Sequence, residues 1–89
     1  MQLFVASQGI YAQRTITGKI INGKNELGMA GISVVIKGTT IATTTDGDGN
    51  FALRVPSDAI IEVSFIGFKT VETPVVNKTW YEIVLQPDI

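Results

Sequence analysis

Thr45-Asp46-Gly47-Asp48-Gly49-Asn50-Phe51 is a tight turn that runs straight into a strand. Asp, Asn and Gly tolerate positive φ, and Asp and Asn side chains can hydrogen-bond the backbone two residues on. That is the chemistry a hairpin turn requires. Behind the turn, Phe51, Leu53 and Val55 alternate with Ala52 and Arg54, so one face of the strand is apolar and the other is not. A slip of one residue would bury Arg54 and expose Phe51, so the turn fixes the register. Asp46, Asp48 and Asn50 also have the spacing of the first three ligands of a calcium loop. Such a loop needs Gly at its sixth position and a bidentate Glu at its twelfth, and those positions hold Phe51 and Ser57. The trio is therefore a weak metal candidate, and a structural turn is the favoured reading.

Working outward, Thr15 to Ile21 is rich in Thr and Ile and reads as a strand. Asn22-Gly23-Lys24-Asn25 is a turn cluster and Leu27-Gly28-Met29-Ala30-Gly31 a loop. Ile32, Val34 and Ile36 alternate with Ser33, Val35 and Lys37, Gly38-Thr39-Thr40 turns the chain, and Ile41–Thr45 is a short polar strand suited to a sheet edge. On the other side of the turn, Pro56-Ser57-Asp58 breaks the run, and Ile61, Val63 and Phe65 form the next inner face, with Glu62 and Ser64 outside. Gly67 marks a bulge or sharp bend. Lys69–Thr73 is a second short strand, closed by Pro74; then Tyr81, Ile83 and Leu85 face in, with Trp80, Glu82 and Gln86 outward.

No stretch of ten residues has helical spacing. Short strands about 8–12 residues apart with turn signals between them predict an all-β sandwich. The predicted core is Ile16, Ile20, Ile32, Val34, Ile36, Phe51, Leu53, Val55, Ile61, Val63, Phe65, Tyr81, Ile83 and Leu85.

A chain of 89 residues makes one small domain, burying only about 60–65% of its unfolded surface. Its net charge is −1 and no basic patch stands out, which argues against nucleic acid as a partner. There is no Cys and no His, so thiol nucleophiles, disulfides, imidazole bases and the usual zinc sites are excluded. Ser33, Ser57 and Ser64 thus have no His to activate them. No apolar run reaches the roughly 18–20 residues needed to span a bilayer. Met1 to Ala12 is apolar and uncharged. It reads as the end of a secretory signal peptide whose basic leader is missing. Residues 1–13 are therefore expected to stand apart from a folded domain over 14–88, or to pair with a neighbouring molecule as an added strand.

Five stretches in order resemble a known family: Ile16-Thr17-Gly18-Lys19-Ile20, Gly31 to Thr39, Thr45 to Leu53, Val63 to Thr70, and Glu82 to Asp88. Together they are similar to the carboxypeptidase-D regulatory-like domain, and more narrowly to the copy at the N-terminus of SusC/RagA-type TonB-dependent outer-membrane transporters. The resemblance implies a seven-stranded transthyretin-like sandwich (Greek-key, prealbumin-like) on the periplasmic side of the outer membrane, placed before the plug and barrel of a nutrient importer. It implies no cofactor. The partners it implies are that plug and barrel, and TonB or other periplasmic proteins. Relatives usually carry prolines in the loop before the second strand; Leu27-Gly28-Met29-Ala30 has none, which implies a looser loop.

The function expected is a non-catalytic interaction or coupling module of a glycan or peptide importer. Glu62 and Glu82 sit singly on outward faces, whereas a hydrolytic carboxylate pair must converge to about 5–10 Å. The alternative is a carbohydrate-binding module, for which Trp80 would stack on a sugar ring, although the supply of aromatic residues for a platform is thin. Trp80 also suits a protein contact, since Trp is enriched at interfaces. The two short edge strands can accept a strand from a partner, which makes Trp80, Thr43 and Val71 the expected interaction surface. None of these residues offers an enzyme mechanism.

Overall fold

Alternation of β-branched and aromatic residues with polar ones draws the chain into seven strands among residues 13–88, the part that the computed structural model describes. They are β1 (Gln13–Asn22), β2 (Ser33–Ile36), β3 (Ala42–Thr44), β4 (Asn50–Pro56), β5 (Ile60–Ser64), β6 (Val71–Pro74) and β7 (Trp80–Leu85). No helix occurs among the described residues. The expected signal-peptide remnant lies outside them, except that Gln13 already pairs with Pro56 at the start of β1.

A three-stranded sheet has the order β4-β1-β7 and a four-stranded sheet the order β3-β2-β5-β6. In the first, β1 runs antiparallel to β4 and parallel to β7; in the second all neighbours are antiparallel. The sheets face each other as a sandwich. Ile16, Ile20, Phe51, Leu53, Val55, Tyr81, Ile83 and Leu85 come from one sheet, and Val34, Ile36, Ile61 and Val63 from the other, with Ile32 just ahead of β2. Fully burying such side chains stabilises by about 1.5–3 kcal/mol each.

Of the predicted core residues, Phe65 is the exception, being 42% exposed. The alternation through Ile61 and Val63 stops because β5 ends at Ser64 and the chain enters a turn, closed by Phe68 N–H donating to the Phe65 carbonyl (3.0 Å), with Gly67 at φ 88°. The sharp bend expected at Gly67 is thus present, but it lifts Phe65 out of the sheet. Ala59 and Val75 join the core instead. They close one end of the four-stranded sheet, where Val75 N–H donates to the Ala59 carbonyl (2.8 Å).

Gly18 shows why β1 needs a glycine on its inner face. It pairs with Phe51 on one side and Tyr81 on the other. A Cβ there would lie 2.6 Å from the Phe51 ring and 2.3 Å from the Tyr81 carbonyl oxygen, so only glycine lets the ring lie across β1.

Candidate interaction surface

The Asp46–Asn50 turn is built by its own carboxylate. Asp46 Oδ1 accepts from the backbone N–H groups of Asp48 and Asn50, both at 2.9 Å. The Asp46 N–H donates to the Asn50 carbonyl (2.9 Å), and Gly49 N–H donates to the Asp46 carbonyl (3.0 Å). The amide of Asn50, then that of Asp48, hold the Asp46 carboxyl below its ordinary pKa, because both favour the charged form. Asp46 is thus committed to backbone amides as a turn-closing group. Among the described residues no cluster of three or more acidic, His or Cys side chains is arranged to hold a metal ion.

Behind the turn lies the loop that joins β1 to β2. Thr45 is the one buried polar side chain among the described residues. Its hydroxyl donates to the Met29 carbonyl (2.6 Å) and accepts from Ile32 N–H (2.9 Å). Met29 N–H donates to Ile20 (2.9 Å) and Asn22 N–H to Leu27 (2.9 Å). The proline-free loop is therefore pinned at several points by backbone bonds and by one threonine.

The outward carboxylates do not converge. Glu62 lies on the outer face of the four-stranded sheet, paired with Glu72, whereas Glu82 is in β7 of the other sheet. Lys37 Nζ bridges to Glu72 at 2.9 Å, and that hydrogen bond, together with the charge of Glu72, raises the Lys37 pKa. Ser33 and Ser64 are paired across β2 and β5, both exposed.

The sheet edges are β3 and β6 on one sheet and β4 and β7 on the other. The two edges expected from the sequence are present, with the second displaced to Val71–Pro74. The side chains expected to make the contact point toward the core. Thr43 pairs with buried Val34 and Val71 with buried Val63, so both side chains lie on the core-facing side and are half-buried. β3 is three residues long, β6 ends in Pro74 and carries the bridged Glu72, and β4 ends in Pro56. Brevity, charge and proline all blunt an edge.

Trp80 is 51% exposed, on the outer face. The row across the sheet is Trp80, Thr17, Ala52, so small side chains flank the indole and no second aromatic stands in that row among the described residues. Tyr81 and Phe51 are buried. The Tyr81 hydroxyl accepts from Val76 N–H and donates to the Lys78 carbonyl, both at 3.0 Å, which ties down the loop before β7. At the opposite end of β7 lies a groove of about 540 Å³ with Ile21 and Val84 as apolar lining and Glu26 and Glu82 as carboxylates.

The family model of the CarboxypepD_reg-like domain matches residues 16–87, from the first core isoleucine of β1 to the residue after Gln86. The chain belongs to the CarboxypepD_reg-like domain family. Its similarity to curated proteins falls on much longer chains. The domain is 37% identical over 86 residues to the TonB-dependent receptor SusC of Bacteroides thetaiotaomicron, covering 97% of this chain and 8% of the receptor. It is 32% identical over 90 residues to a TonB-dependent receptor of Formosa agariphila, covering 97% of this chain and 9% of that one. The chain thus spans less than a tenth of the length of these relatives. Among solved structures, the CarboxypepD_reg-like fold resembles a chain of a type II cohesin–X-dockerin complex from Acetivibrio cellulolyticus (TM-score 0.61, 23% identity, 80% of this chain and 56% of that one). It also resembles 3-chlorocatechol 1,2-dioxygenase from Rhodococcus opacus (TM-score 0.61, 12% identity, 88% and 60%). At these identities the likeness concerns the sandwich alone.

Proposed function

We propose that this CarboxypepD_reg-like domain is a non-catalytic module of a SusC-like TonB-dependent importer of glycans or peptides. It lies on the periplasmic side of the outer membrane, beside the plug and barrel of the same receptor. Its work is to contact proteins, TonB or another periplasmic component, and so to influence energy coupling. The observation that carries the reading is the match to SusC over 97% of this chain and 8% of the receptor. One small sandwich accompanies a far larger protein, and several of its polar groups are spent on its own scaffold. Asp46 closes a turn, Thr45 pins a loop, Tyr81 anchors another, and Lys37 pairs with Glu72. The sugar-binding alternative draws no support from Trp80, which has no second aromatic in its row among the described residues.

Deleting residues 14–88 from the full receptor tests this. The expected result is impaired substrate uptake with normal receptor abundance in the outer membrane and normal substrate binding by intact cells. Unchanged uptake would overturn the coupling role. Lost substrate binding would point instead to a place in substrate capture.

A further inference from the structure

We propose that the open edge of β7 receives an extended segment of a separate protein, with a basic residue opposite Glu82 and apolar residues two positions to either side. This deepens the interaction-module reading and rests on it, since it names the surface and the chemistry of the partner.

The ladder decides which backbone groups are available. Thr17 N–H donates to the Thr79 carbonyl and Gly23 N–H to the Leu85 carbonyl, both at 2.8 Å. In a parallel pair the bonds alternate along each strand, so the backbone groups of Tyr81, Ile83 and Leu85 face β1. Those of Trp80, Glu82 and Val84 face the other way, where no strand lies among the described residues. The same three residues carry their side chains on the outer face and are exposed. β7 therefore offers a row of donors and acceptors with an apolar–acidic–apolar rhythm above it, the requirement for strand addition. It lacks the proline and the bridged charge that blunt the other edges.

Charge selects the occupant. Glu82 and Glu26 both line the groove over the outer face of β1 and β7, beside the Val84 end of the edge, and neither has an ion-pair partner among the described residues. Lys19 is the cross-strand neighbour of Glu82, but it serves the other side of β1. Its Cε lies close to Gly28 and its charge helps to hold Asp46 ionised. A lysine or arginine on an added strand would lay its aliphatic stem beside Glu82 and Val84 and turn its charge toward the acidic groove. A second copy of this chain fits poorly, because the two-fold register that uses all three residues sets Glu82 against Glu82. The residues just after β7 are also spoken for, since Lys69 N–H donates to the Gln86 carbonyl and Asp88 N–H to the Gly67 carbonyl, both at 2.9 Å.

The test is a titration of the 15N-labelled 89-residue chain with the peptide Thr-Val-Thr-Lys-Thr-Val-Thr, read by amide shifts and hydrogen exchange. The expected result is protection of the Trp80, Glu82 and Val84 amides. Glu82→Lys, a surface change, should weaken binding by about tenfold or more, since like charges then face each other. A peptide with Glu at its centre should fail, and so should one N-methylated at every backbone amide, which keeps its side chains but has no N–H on either edge to donate. Equal affinity for the Lys- and Glu-centred peptides, binding of the N-methylated peptide, protection confined to β3 or β6, or self-association through β7 would each overturn the proposal. Loss of uptake on deleting the domain, with no binding at β7, would overturn this proposal while leaving the module reading in place.

Discussion

Two turns of this domain have the same backbone device and opposite surroundings. Gly49 at φ 87° closes the Asp46–Asn50 turn, and Gly67 at φ 88° closes the Phe65–Phe68 turn. The first is wrapped. Asp46 binds two amides, and a Cβ on Gly49 would meet the Ile20 carbonyl at 2.7 Å and Met29 N at 2.7 Å. The second stands clear. A Cβ on Gly67 would meet nothing within 4 Å, and Ile66 is 89% exposed. Phe65 and Phe68 lean on each other at 6.2 Å between ring centroids. The difference teaches that a glycine turn can be demanded by its φ alone or by φ and contact together, and only the second kind holds the sandwich in register.

The contrast breaks most sharply at two phenylalanines. Phe51 is 5% exposed and Phe65 42%. Phe51→Ala should destabilise by about 3–5 kcal/mol, which threatens a domain whose total stability is of order 5–15 kcal/mol. Phe65→Ala should cost less than about 1 kcal/mol, as surface changes do. Urea melts of both variants check this, and equal midpoints would erase the distinction between the two turns.

The glycines give the next effect. A Cβ on Gly28 would sit 1.9 Å from the Asp48 carbonyl oxygen, so Gly28→Ala must push the β1–β2 loop off the Asp turn. The expected loss is about 3 kcal/mol. Gly67→Ala meets open space and should lose only the left-handed penalty, about 1–2 kcal/mol. Reversal of that order in thermal melts would show that the loop does not rest on the turn. Thr45 comes after. Thr45→Val removes a hydroxyl bonded to Ile32 N–H and the Met29 carbonyl, orphaning both at a cost of about 2 kcal/mol. Thr45→Ser, which keeps the hydroxyl, should lose clearly less.

The strands and most of the core were readable because burial follows a period of two, and Phe51, Leu53 and Val55 or Tyr81, Ile83 and Leu85 obey it without interruption. Phe65 obeys it too, and misleads, because periodicity does not say where a strand stops; the bend at Gly67 does. Ala59 and Val75 are single buried residues in irregular stretches, with no periodic neighbours to announce them. The outward set of Trp80 was legible from parity, but the choice of Thr43 and Val71 needed the register against Val34 and Val63, which belongs to strands far away in sequence. The same holds for β7 as an edge. Its own residues read like any buried-face strand, and its parallel pairing to β1 is a fact of the whole chain. Gly18 and Gly28 carried a signal, glycine in or beside a strand, but only the ring of Phe51 and the carbonyl of Asp48 say what it is for.

The smallest effect tests whether the wrapped turn owes anything to charge. The backbone amides of Asn50 and Asp48 lower the Asp46 pKa in the folded state. A carboxyl whose folded pKa lies below its unfolded value, about 3.9, contributes stability that is complete above that value. The contribution fades as pH falls toward the folded pKa and is gone below it. Asp46→Asn keeps an oxygen to accept from both amides but cannot ionise. The parent should therefore melt above the variant near neutral pH, and the gap should close in the acid range below about 3.9, where the parent becomes protonated too. Proton uptake elsewhere on the chain is common to both proteins and leaves the difference untouched. A gap that stays constant from neutral pH into acid would mean that Asp46 closes the turn by shape alone. Then nothing electrostatic would separate this turn from the one at Gly67, and packing against Gly28 and Met29 would be the whole of the difference.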